Sequence, residues 1–155
     1  MLGAADQFWR VGAALAERGY RAVAVDLPGH GGSPAAPDAS VGMFAASVAE
    51  TVGCEPELAI AHSLGGTDRE VEAGAAERFD VATAVALELA PRGSQPPTAE
   101  IPSLVVRAEP SRYVSKTRAA ELAALGFEVR SVPGAGHCIW YGHFAEFMDA
   151  LEGWI

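Results

Sequence analysis

The sequence predicts an α/β protein, a three-layer αβα sandwich whose mostly parallel sheet has about five strands. Short apolar runs alternate with helix-like stretches along the whole chain, which is the pattern of repeated βα units. Half of the 155 residues are hydrophobic, enough for one domain with a core on both faces of such a sheet.

Each element has its own signal. Residues 3–19 place Phe8, Val11, Leu15 and Ala16 three to four apart and stop at Gly19, which predicts an amphipathic helix. The run YRAVAV at 20–25 predicts a short buried strand. Residues 27–37 are dense in Gly and Pro and predict a loop, followed by a helix over 39–52 and a second strand over 58–61. Residues 67–79 are strongly charged with no breaker stronger than Gly74, and predict a partly exposed helix. A third strand is expected over 81–89, a loop over 91–102 and a fourth strand over 103–106. An Ala- and Leu-rich helix over 116–125 ends at Gly126, a fifth strand covers 127–132, and an amphipathic helix closes the chain from about 142 to 154. No internal repeat or long linker divides residues 1–155, which read as a single domain.

Charge and composition exclude several partners. Eleven Lys and Arg stand against 20 Asp and Glu, a net charge of −9, with the basic residues scattered. Phosphate backbones and anionic membranes repel such a surface, so neither nucleic acid nor membrane is an expected partner. The longest run without a charged residue, 131–145, is broken by Pro133, Gly134 and Gly136 and is too short to span a bilayer. No basic cluster followed by an apolar block opens the chain, which predicts a cytoplasmic protein. Cys54 and Cys138 form no C-x-x-C pair, and two reduced thiols are expected.

The chemistry concentrates at two turns. Ala61-His62-Ser63-Leu64-Gly65-Gly66 follows a short apolar strand and precedes a helix-like stretch. Small residues two before and two after Ser63, Ala61 and Gly65, let the backbones pass closely at a sharp strand-to-helix turn. Such a turn lifts the serine hydroxyl out of the sheet and aims the Leu64 N–H at developing negative charge. Capping the helix is the other task Ser63 suits. His137 sits in a Gly-Ala-Gly-His loop past the last strand, where side chains point into the crevice at the carboxyl end of a parallel sheet. It comes last in the chain, as expected of a general base for Ser63; an exposed loop histidine is its other reading.

Three segments together resemble the α/β-hydrolase fold family: Asp26-Leu27-Pro28-Gly29-His30-Gly31-Gly32-Ser33, the turn around Ser63, and Pro133-Gly134-Ala135-Gly136-His137. They occur in the family's order and span nearly the whole chain. The resemblance implies a serine hydrolase of the esterase kind with no metal and no organic cofactor. It is specific for the fold and much less so for the substrate, since esterases, lipases and amidases share these motifs.

The resemblance also implies an acid that holds the histidine tautomer. In the commoner pattern an Asp stands where this chain has Ser111. Some relatives place the acid at the end of the preceding strand, which here gives Glu88, with Glu109 as second choice. His62 and Trp140 are expected to line the pocket, His30 to be structural, and Asp26 to be a turn residue. Relatives carry one more strand and a His-Gly turn before the first helix, the turn supplying a second oxyanion donor. Here Met1 or Leu2 would stand in. That strand normally separates the strands at 20–25 and 58–61, so the two must pair directly, or the chain is a truncated form of a longer protein. Relatives often insert a helical cap where this chain has only the loop at 91–102, which implies a shallow, water-accessible site.

The leading reading is cleavage of a carboxylic ester or related acyl bond in a small molecule. The rival, from a different class, is a catalytically weak or inactive hydrolase-like domain, favoured by the absent strand, the displaced acid and the charged stretch after Ser63.

Overall fold

The computed structural model describes residues 3–35, 40–53, 56–63, 83–87 and 101–155. Within them four strands form one parallel sheet in the order β1 (Leu58–His62), β2 (Thr83–Leu87), β3 (Ser103–Glu109) and β4 (Glu128–Pro133). The register pairs His62 with Leu87, Leu87 with Val106, and Glu109 with Pro133, so the carboxyl ends of all four strands lie along one edge of the sheet.

Alternation along β3 builds the core on both faces. Leu104, Val106 and Ala108 pack with Val11 and Leu15 of α1 (Trp9–Ala16) and with Phe147 and Met148 of α4 (Phe144–Asp149). Val105 points the other way, to Leu122 of α3 (Lys116–Ala124) and to Val114. Leu104, Val105 and Val106 have no exposed surface, and each such side chain contributes about 1.5–3 kcal/mol by its burial. The three-layer expectation is met: helices cover both faces of a parallel sheet.

Helix ends follow their local signals. α2 (Val41–Val52) starts where the Ser40 hydroxyl accepts the Met43 N–H, and ends at Gly53 in the left-handed region. The Ser115 hydroxyl caps α3 in the same way on Arg118. A 3₁₀ turn, Ala5–Phe8, precedes α1.

The sheet departs from expectation at one strand. Residues 20–25 adopt no regular secondary structure and belong to no described ladder, and Val23 is 52 % exposed; among the described residues the sheet has four strands rather than about five. An apolar run becomes a buried strand only when a neighbour takes its N–H and C=O groups, and the one described partner of β1 is β2. The direct pairing of 20–25 with β1 is therefore not found. The helix expected over 67–79, most of the 91–102 loop and Cys54 lie outside the described residues.

The loop after residues 20–25 is organised by Asp26. Its Oδ1 accepts the Ala5 N–H at 2.6 Å and its Oδ2 the Gly32 N–H at 2.9 Å, while the Ser33 hydroxyl donates to its carbonyl. The two backbone donors hold the carboxyl below its ordinary range. Asp26 is thus the turn residue the sequence suggests. Gly31 adopts φ +50°, and a Cβ there would overlap the Asp26 carboxylate. Gly31→Ala is expected to cost about 1–3 kcal/mol of stability, measured by urea denaturation.

Candidate active site

Ser63 sits one residue past β1, 3 % exposed, at φ +55°. It is the single non-glycine residue in the left-handed region among those described. A side chain held there is strained, a state that persists where the surroundings impose it, and such strain clusters at active sites. Leu64, the expected oxyanion donor, lies outside the described residues, as do Met1, Leu2 and Glu88.

His137 follows β4 in the loop the sequence indicated. The Gly134 N–H donates to the Glu109 carbonyl at 2.8 Å, which ties the start of that loop to the end of β3. His62 makes the second tie. Its Nε2 lies 2.9 Å from the His137 carbonyl, and because a carbonyl only accepts, Nε2 carries the proton. The two imidazoles are 4.4 Å apart between centroids. The residue beside Ser63 thus grips the backbone of the histidine expected to act on it, across 75 positions of sequence.

Beneath His62 stands Trp140, edge-on at 4.8 Å and only 1 % exposed. Trp140 stacks on Phe8 at 4.7 Å, and its Nε1–H donates to the Gln7 carbonyl. Trp140 supports the site from the core: its indole is buried, and the ring packed against it is half-buried His62.

Burial drives the His62 pKa down to about 4 from an ordinary 6.5, against the favourable bond to the His137 carbonyl. This ring is therefore neutral at pH 7. Because the folded value is the lower one, protonation favours unfolding. The stability tied to His62 is intact above about pH 6.5 and is lost as pH falls toward 4, on the order of 3 kcal/mol. Melting temperatures across pH 4–7 should fall more steeply in wild type than in His62→Gln. The depressed carboxylates, Asp26 and Glu109, act in a separate, more acidic window.

Glu109 turns to other partners. Its Oε1 lies 3.2 Å from Lys116 Nζ and 3.7 Å from Arg107 Nη1, and the hydrogen bond and charge of Lys116 hold its carboxyl low. Ser111, where relatives carry Asp, forms a turn instead: its Oγ accepts the N–H groups of Tyr113 at 3.0 Å and Val114 at 2.9 Å. Burial pushes the Cys138 thiol up, which suits an inert thiol rather than a nucleophile. His30 Nδ1 contacts the Pro28 carbonyl within its own loop. Among the described residues no three His, Cys, Asp or Glu side chains group as a metal site.

Two residues were missed from sequence. Tyr113 lays its ring 4.2 Å from that of His137. Arg107, 4 % exposed, donates from Nε to the Val114 carbonyl and from Nη1 to Ser131 Oγ, both at 2.8 Å, and so fixes the loop carrying Tyr113. An arginine inside an apolar strand was the available signal for the second; the first had none.

A strained serine just past β1, next to a histidine bonded to the His137 backbone, lies at the carboxyl edge of a parallel sheet, the edge at which open α/β folds bind their ligands. The alpha/beta hydrolase family model matches residues 2–120, and the chain belongs to that family. Solved structures agree on the fold. NosK from Streptomyces actuosus superimposes with a TM-score of 0.74 at 22 % identity, over 97 % of this chain and 91 % of its own. A marine microorganism esterase gives 0.78 at 16 % identity, over 95 % and 89 %. E-2-(acetamidomethylene)succinate hydrolase gives 0.77 at 19 % identity, over 96 % and 85 %. No curated protein matches significantly. No described helix is long and apolar enough to cross a membrane.

Proposed function

We propose that the protein is a serine hydrolase that cleaves a carboxylic ester or related acyl bond of a small molecule. The observation that carries this reading is the strained, buried Ser63 beside a His62 bonded to the His137 backbone. Membership of the family supports it, and an esterase and a hydrolase among structures of the same fold are consistent with it.

In this mechanism Ser63 Oγ forms a bond to the acyl carbon while His137 takes its proton. The Leu64 N–H stabilises the oxyanion, and Met1 or Leu2 supplies the second donor. Collapse breaks the bond to the leaving group, which receives the proton from His137. Water then attacks the acyl-enzyme, passing a proton to His137 that returns to Ser63 as the acid product departs. Glu88 orients the imidazole; of the two acids considered, Glu109 is engaged by Lys116. Residues 91–102 are few for a helical cap, and on that ground the site takes short or exposed acyl groups; a panel of p-nitrophenyl esters should show higher kcat/KM for acetate and butyrate than for palmitate.

A fluorophosphonate probe tests the reading. An adduct mapped to Ser63, absent in both Ser63→Ala and His137→Ala, is the expected result. A cooperatively folded protein with no adduct would favour the second reading, a catalytically weak or inactive domain, to which the absence of residues 20–25 from the described sheet lends support.

A further inference from the structure

The His137 imidazole is flanked by two rings on separate elements, His62 at the end of β1 and Tyr113 in the loop after β3. The Tyr113 ring lies 4.2 Å away with a 37° interplanar angle, close enough for its π face to meet the imidazole. We propose that Tyr113 is a positioning residue for His137, fixing the tilt of the imidazole and stabilising the imidazolium formed when Ser63 gives up its proton. This rests on the Ser63–His137 reading above.

Two arguments support it. A carboxylate bonded to one ring nitrogen sets the imidazole's tautomer and direction but leaves it free to swing about that bond. A ring packed on the face removes that freedom. The same face presents the negative side of a quadrupole to the cation that forms during turnover, an attraction that a neutral aliphatic neighbour lacks. The Tyr113 ring is itself held in place. Ser111 Oγ accepts its backbone N–H, buried Arg107 holds the next carbonyl, and its apolar edge packs on the cluster of Val105, Val114 and Leu122. Ser111, standing where relatives carry an acid, thus builds the turn that brings a ring to the same histidine.

The test compares Tyr113→Phe and Tyr113→Leu with wild type by three measurements: thermal melting, the saturable kinetics of fluorophosphonate labelling, and carbon-bound His137 ring protons in histidine-labelled NMR spectra. Tyr113→Leu is expected to slow the limiting labelling rate about tenfold with half-saturation unchanged. Tyr113→Phe, which keeps the ring, restores most of that rate. The His137 ring protons, shielded by the Tyr113 ring current, move downfield in Tyr113→Leu and stay near their wild-type position in Tyr113→Phe. A leucine variant that melts like wild type, labels at the wild-type rate and leaves the His137 resonances unmoved overturns the proposal. Failure of the hydrolase reading is separable. It shows as a wild type that takes no adduct on Ser63, and the resonances still decide whether Tyr113 sets the imidazole.

Discussion

On the proposed mechanism Ser63→Ala is expected to lower kcat for ester hydrolysis by about 10⁴–10⁶ with little change in KM, because a nucleophile acts in the transition state far more than in substrate binding. A second variant separates the chemistry from the backbone. At φ +55° a Cβ is unfavourable, whereas glycine accepts that conformation freely. Ser63→Gly should therefore be more stable than Ser63→Ala by about 1 kcal/mol, reversing the usual order in which alanine is the more stable of the two. Both variants lose turnover equally. Denaturant titration of the pair reads the strain directly, and equal midpoints would count against an imposed turn at this serine.

Trp140→Ala carries the largest expected loss of stability, about 3–5 kcal/mol by denaturant titration. The indole is 1 % exposed and stacks on Phe8, and its N–H donates to the Gln7 carbonyl, a bond the variant loses. Against a total stability of about 5–15 kcal/mol this is a large share. The effect reaches the site as well. The indole edge supports His62, and His62 holds the His137 carbonyl, so the variant should lose probe labelling at temperatures where it remains folded. Trp140→Phe keeps a ring in the same space and should cost less on both counts.

Much of this was legible in sequence because the signals are local. The strands at Leu58–His62, Thr83–Leu87 and Glu128–Pro133 fall within two residues of where the apolar runs place them, since β-branched and small apolar residues bounded by turns need no distant information. The turn at Ser63 was marked by its small neighbours, and the His137 loop by its glycines. Residues 20–25 misled for the converse reason. Their apolarity is intrinsic, but a strand requires a partner, and pairing is a property of the whole sheet. β3 runs to Glu109, three residues past its apolar core, because the β4 ladder continues there and Arg107 is satisfied by Val114 and Ser131. The burial of Trp140 was not legible, because it depends on Phe8, at the far end of the chain. Tyr113 had no sequence signal, since its role arises where two loops from different βα units meet.

The Asp26 carboxylate has a consequence for slow motions. Ala5 begins a 3₁₀ turn, a position whose amide ordinarily has no partner within the helix and exchanges its hydrogen quickly with solvent. Here that amide is bonded to a carboxylate 21 residues away. Its deuterium uptake therefore reports the ionisation of one side chain rather than unfolding of the domain: slow at neutral pH, and faster than its global-unfolding rate once Asp26 is protonated. The first turn of the chain is in this sense tied to a distant loop through a group that titrates, while its other anchor, the Trp140 bond to Gln7, does not.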